Sequence, residues 1–251
     1  MQIFEQYSAE INELETYISK EAVGKQSLRI LEAGCGREWH LRPKGVRIEL
    51  TGLDLDRSAL EFRKNVMRDL DEAIVGDLRT APLPSETFDI VYSSFVLEHI
   101  DGAERALDNM VQALKPEGLL IVRVPDLHGA QTFLARRLPH FAAIAYYRYA
   151  WNIKKAGQPG FAPYPTHYDR VISAPGFHDY CQRNGLTVIA QFGVGSYTKR
   201  GLGLLSWFTP IAARLVSIAT LGKVHDRYVD LTFIVRKSGK HDTGQWPQTA
   251  R

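Results

Sequence analysis

The feature that most constrains this chain is a series of short apolar runs, each closed by glycine or a carboxylate. Residues 28–31 run into Gly34-Cys35-Gly36, residues 46–55 carry Gly52-Leu53-Asp54, and residues 73–75 stop at Gly76-Asp77. Phe88-Asp89-Ile90-Val91-Tyr92-Ser93 and the stretch 119–124 continue the series. Runs this short and evenly apolar describe strands buried on both faces. The helix-length stretches between them predict a parallel sheet covered on both sides.

Helices are expected at 4–20, where Phe4, Tyr7, Ile11, Leu14 and Ile18 recur every three or four residues, and at 102–114. A third is expected at 57–70, with Leu60, Val66, Met67 and Leu70 inward. Lys115-Pro116-Glu117-Gly118 reads as a turn. After Pro125 the character changes. Residues 129–155 are aromatic, basic and helical in pattern, whereas 157–168 hold three prolines and two glycines and suit no regular element. A helix at 175–184, a strand at 186–192 and a last strand at 229–235 resume the earlier rhythm. The tail 238–251 is expected to be disordered.

Charge divides the chain in the same place. Residues 1–122 hold 14 Lys+Arg against 22 Asp+Glu, whereas residues 123–223 hold 12 against 3. The basic part is suited to an anionic partner or a membrane surface, or is simply a solvated face. Cys35 and Cys181 lie far apart, which predicts neither a disulfide framework nor a zinc site and fits a reducing compartment. The acidic, amphipathic start is unlike a signal peptide, and no run of 18 apolar residues is present, so a cytoplasmic protein is expected.

The strand ends carry the chemistry. Without a Cβ, Gly34 and Gly36 let backbone approach a ligand closely at the carboxyl end of a parallel strand, where open α/β sheets bind ligands. Glu32 beside them suits a cationic amine and not a pyrophosphate. A dinucleotide fingerprint would also need glycine where Trp39 stands. Asp54 can accept both hydroxyls of a ribose, and Asp56 is the better placed of the two to cap the next helix. Asp77 can accept from an exocyclic adenine amine with Leu78 over the ring. Taken singly, the Gly-x-Gly loop and Asp77 read equally well as structural turns.

In order and spacing the set resembles the class I S-adenosylmethionine-dependent methyltransferases, in particular the small-molecule type with a Leu-Glu-His element after strand four. That element is here Ser94-Phe95-Val96-Leu97-Glu98-His99-Ile100, and the family's Lys-Pro-x-Gly turn is Lys115-Pro116-Glu117-Gly118. The resemblance covers about 28–125 and, more weakly, 175–236. It implies a Rossmann-like α/β fold: a mostly parallel seven-stranded sheet with an antiparallel last strand and a helical lid insertion. It implies one domain over 1–251, with 1–125 binding S-adenosylmethionine and 126–174 and 196–226 forming the lid. Glu32, Gly34, Cys35 and Gly36 would hold the methionine end, Asp54 and Leu55 the ribose side, Asp77 and Leu78 the adenine, and Ser93 the methyl side. Glu38 stands where the family often has a third glycine, and Pro43 shortens the helix expected next.

Methyl transfer to oxygen needs alignment and, often, a base. His99 and His167 are the candidate catalytic residues, with His128 a weaker one. No metal cluster is expected. The acceptor is expected to be a small hydrophobic molecule methylated at oxygen. Phe133, Phe141, Tyr146, Tyr147, Tyr149, Trp151, Phe161, Tyr164 and Tyr168 either form the lid's own core or line an apolar pocket with a basic rim. Stretch 201–222, with Trp207 and Phe208 near Lys199 and Arg200, is either a buried lid helix or a peripheral membrane contact. A non-catalytic scaffold and a nucleic-acid methyltransferase are the rival readings, and no base-reading module supports the second.

Overall fold

The computed structural model describes residues 1–137, 139–150, 153–158, 163–195 and 205–239. Eight strands form one sheet: β1 (Gln2–Phe4), β2 (Leu28–Ala33), β3 (Ile48–Asp54), β4 (Glu72–Val75), β5 (Phe88–Ser94), β6 (Leu114–Pro125), β7 (Leu186–Val194) and β8 (Asp230–Lys237). Their spatial order is β1-β7-β8-β6-β5-β2-β3-β4. Every pairing is parallel except those of β8 with β6 and with β7. The Rossmann-like sheet with an antiparallel last strand is therefore present, with eight strands in place of the expected seven. The extra one is β1, three residues long and added beside β7 at the edge. Only tertiary pairing makes so short a segment a strand.

Seven helices are described: α1 (Tyr7–Glu21), α2 (Arg57–Phe62), α3 (Ala103–Ala113), α4 (Ala130–Ala135), α5 (His140–Ala150), α6 (Ala174–Arg183) and α7 (Leu205–Ala219). Alternate residues of the central strands enter two cores. Ile30, Tyr92, Ile121 and Ile234 pack with Ile11, Leu14 and Ile18 of α1. Leu31, Val91, Val122 and Phe233 pack with Leu107 and Met110 of α3 and Phe177 of α6. Asp56 caps α2, accepting from the Ser58 and Ala59 amides as expected, which leaves Asp54 to other work.

Three local expectations are corrected. The helix at 57–70 gives way after Phe62 to a π-turn at Arg63–Met67, ended by Arg68 at φ 56°. The wider turn rotates the succeeding residues about the helix axis, so Val66 and Met67 stand exposed while the Arg63 side chain is fully buried. Lys115-Pro116-Glu117-Gly118 is not a free turn but an irregularity at the start of β6, with Glu117 at φ 61° and a register shift against β5. Between β2 and β3 no helix forms at all, where Pro43 was expected only to shorten one. Trp151, Phe161, Lys199, Arg200 and the tail beyond Gly239 lie outside the described residues.

Candidate active site

Because β5, β2, β3 and β4 are adjacent and parallel, their carboxyl ends share one rim, and Ser93, Glu32, Asp54 and Asp77 fall along it. The glycine loop bridges the first gap. Gly34 sits at φ 76°, and a Cβ there would meet Val96 Cγ2 at 2.3 Å, so both conformation and space exclude a side chain. Gly36, at φ 53°, faces open space. Its amide donates to Asp54 Oδ2 at 2.8 Å, and the Asp56 amide donates to Asp54 Oδ1 at 2.8 Å. Two backbone donors thus fix the Asp54 carboxylate, which keeps one lone pair on each oxygen for a ligand diol.

Arg63 holds the rim from below. Its guanidinium donates to Glu32 Oε2 at 2.9 Å, to Asp69 Oδ1 at 2.8 Å and to the Cys35 carbonyl at 2.8 Å. The cation foreseen for Glu32 in a ligand is thus supplied first by the chain itself. Burial pushes the Glu32 carboxyl up to about 8, against the pull of Arg63, and the charges of Asp69 and Asp54 add to the push. Arg63 is taken up by Glu32 and Asp69, whereas Asp54 accepts only from backbone amides among the described residues, so its charge is left to attract a cationic ligand. Cys35 is buried, and its thiol, pushed up to about 12 by burial, is not a nucleophile.

On the far side of the rim, Asp77 is held below the usual carboxylate range by the Arg79 side chain, whose Nη2 donates to Oδ2 at 2.5 Å. Leu78 is not free to cover a ring: its side chain lies in the core, 4% exposed. Leu55 is 72% exposed and is the apolar side chain the rim presents next to Asp54.

At and just beyond the end of β5, Ser93 Oγ and Glu98 Oε2 are buried with no hydrogen-bond partner among the described residues, and burial pushes the Glu98 carboxyl up to about 8. His99 Nδ1 lies 2.8 Å from the Pro165 carbonyl oxygen. A carbonyl only accepts, so the proton sits on Nδ1 and Nε2 carries the lone pair. Burial lowers the His99 pKa, with His167 contributing in the same direction, so the two candidate histidines face one another electrostatically. The His167 amide donates to the Glu98 carbonyl at 2.8 Å. The His128 backbone amide donates to Asp126 Oδ1 at 3.2 Å.

Sequence reasoning missed two groups, Arg63 and Arg123, and named Tyr164 only as one of the lid aromatics. Tyr164 stacks edge-on against His99, with centroids 5.6 Å apart, and the charges of Asp54, Asp56 and Arg37 reach its hydroxyl. Arg63 continues the inward stripe three residues after Leu60, a basic residue on a buried face that needed a carboxylate. Arg123 interrupts an apolar strand in the same way. Its partner is Glu10 of α1, which accepts from Nε at 2.9 Å and Nη2 at 2.7 Å, while Tyr7 and Ser94 accept from Nη1.

Residues 2–191 match the family described as a methyltransferase domain. The chain belongs to that family, and its fold is that of an S-adenosylmethionine-dependent methyltransferase. A malonyl-acyl-carrier-protein O-methyltransferase of Enterobacter lignolyticus is 34% identical over 98 residues, 37% of this chain and 37% of that protein. Arginine-hydroxylase NDUFAF5 of Danio rerio is 30% identical over 163 residues, 63% of this chain and 46% of that protein. The chain thus matches less than half the length of these curated relatives. The S-adenosylmethionine-dependent methyltransferase of Mesorhizobium loti shares the fold, with a TM-score of 0.51 at 18% identity over 90% of this chain and all of that one. The open cradle at Gly36 and the fixed Asp54 carboxylate, left without a side-chain cation among the described residues, fit S-adenosylmethionine, a sulfonium with a free ammonium group.

Proposed function

We propose that this enzyme methylates oxygen on a small hydrophobic acceptor, with His99 as general base. S-adenosylmethionine supplies the electrophilic methyl group when bound. Asp54 holds the ribose hydroxyls, Leu55 packs on the adenine, Asp77 accepts from the adenine amine, and the second oxygen of Glu32 accepts from the ammonium. Gly34, Cys35 and Gly36 bring backbone against the methionine end, and Ser93 lines the methyl side. The observation that carries the base assignment is the His99 tautomer. Its Nδ1 proton is committed to Pro165, its lowered pKa keeps the ring neutral near pH 7, and Nε2 has a lone pair for the acceptor's proton. His167 borders the same space and orients the acceptor.

Residues 1–251 act as one methyltransferase domain in this reading, and 126–174 with 196–226 select the acceptor. Support for a hydrophobic acceptor comes from Tyr164, whose ring stacks edge-on against His99. Support for oxygen comes from the O-methyltransferase named among the relatives. The test is release of S-adenosylhomocysteine with a panel of hydrophobic phenols, carboxylic acids and amines. His99→Ala should lower turnover of the oxygen acceptors by about 10²–10⁴-fold while cofactor affinity by calorimetry stays within about twofold. Turnover confined to amines, or an unimpaired His99→Ala, would overturn the reading.

A further inference from the structure

Helix α7 is apolar on two opposite faces. Toward the protein, Ala213 and Val216 pack with Ala130, Phe133 and Val224. On the other face Ile211, Leu215 and Ile218 repeat at spacings of four and three and stand 56%, 61% and 61% exposed, and Leu221 just past the helix is 90% exposed. A helix apolar all round is normally buried in protein or set against lipid, and a contiguous exposed stripe marks a contact surface. The stripe is bordered by exposed Arg214, Lys223 and Arg227, with Asp226 as the acidic neighbour, paired to Arg214 at 3.3 Å. It lies in the basic part of the chain, 123–223, with 12 Lys+Arg against 3 acidic residues. No helix of the described residues is long and apolar enough to cross a membrane.

We propose that this outer face of α7 docks the enzyme onto an anionic lipid bilayer. The helix lies in the plane of the interface. Ile211, Leu215, Ile218 and Leu221 enter the acyl boundary, and Lys223 and Arg227 meet headgroup phosphates. Of the two alternatives foreseen for 201–222, buried lid helix or membrane contact, each takes one face. A second copy of the chain fits the stripe less well, because a two-fold contact would bring the same basic border against itself. The surface is independent of which acceptor the enzyme methylates, so it stands or falls apart from the proposed chemistry.

Co-sedimentation of the full chain with phosphatidylcholine vesicles, with and without about one-third phosphatidylglycerol, tests it. Binding to the anionic vesicles is expected, weaker by roughly tenfold or more on phosphatidylcholine alone and reduced by salt. Ile211→Glu with Ile218→Glu should lower it by a further factor on the order of ten, with cofactor affinity and thermal melting retained. Leu215→Trp gives a gentler readout, a blue-shifted emission from this residue, relative to the parent chain, when anionic vesicles are added. Protein left in the supernatant, a double variant that binds equally, or no Leu215→Trp shift overturns the proposal. Self-association that the double variant abolishes, without vesicle binding, overturns it in favour of a second copy.

Discussion

Arg63 and Arg214 carry the same guanidinium into opposite settings. Arg63, under the cofactor rim, is fully buried and donates to Glu32, Asp69 and the Cys35 carbonyl. Arg214, on α7 of the lid, is 68% exposed at its side chain and pairs with Asp226 at 3.3 Å. The rim is thus preorganised by charges that have no water to relax into. The lid is anchored by a small apolar cluster of Ala130, Ala213 and Val224 and by solvated pairs. In the proposed function, the side that meets the cofactor is fixed, and the side that meets the acceptor is built from replaceable contacts.

The largest expected effect separates these two arginines. Arg63→Met strands two carboxylates and should cost about 3–5 kcal/mol of stability in urea unfolding, whereas Arg214→Ala should cost under about 1 kcal/mol. Equal losses would break the contrast.

Glu98 sharpens it through pH. Its folded pKa, about 8, lies above the ordinary 4.5, so the fold favours the protonated form. That contribution is complete below about pH 4.5 and is lost as pH rises toward 8. The enzyme should therefore lose stability across this window, by an amount on the order of a few kcal/mol. Glu98→Gln should flatten the loss, leaving the share that belongs to Glu32. An unchanged slope would mean that Glu98 finds a partner in solution.

Asp54→Ala should weaken S-adenosylmethionine binding by about 1–3 kcal/mol in calorimetry, and an unaltered affinity would remove Asp54 from the site. The smallest effect joins the two regions. Asp169, at the end of the lid stretch, accepts from the Gly102 and Ala103 amides at 2.9 and 2.8 Å and so caps α3. Asp169→Ala should lower the melting temperature in proportion to about 1 kcal/mol. No change would show that lid and core are not joined there.

Much of the rim was legible because strand ends are local signals. Gly34, Gly36, Asp54 and Asp77 each follow an apolar run within a few residues, and parallel strands carry such ends to one edge whatever the rest of the chain does. Leu78 was misplaced because the residue after a turn carboxylate faces either core or ligand, and sequence alone does not say which. Tyr164 was visible only as one aromatic among many in the lid. Its stacking on His99 follows from Pro165 meeting His99, two residues 66 positions apart.

The sequence by itself determined the class of sheet, the order of its ligand-facing ends and the split into acidic and basic parts, all of which follow from short-range pattern and composition. Tertiary structure alone decided which cation meets Glu32, which face of α7 remains bare, and which nitrogen of His99 carries the proton. Each of these depends on groups distant in the chain being brought together, where desolvation makes a missing partner costly and so selects one arrangement.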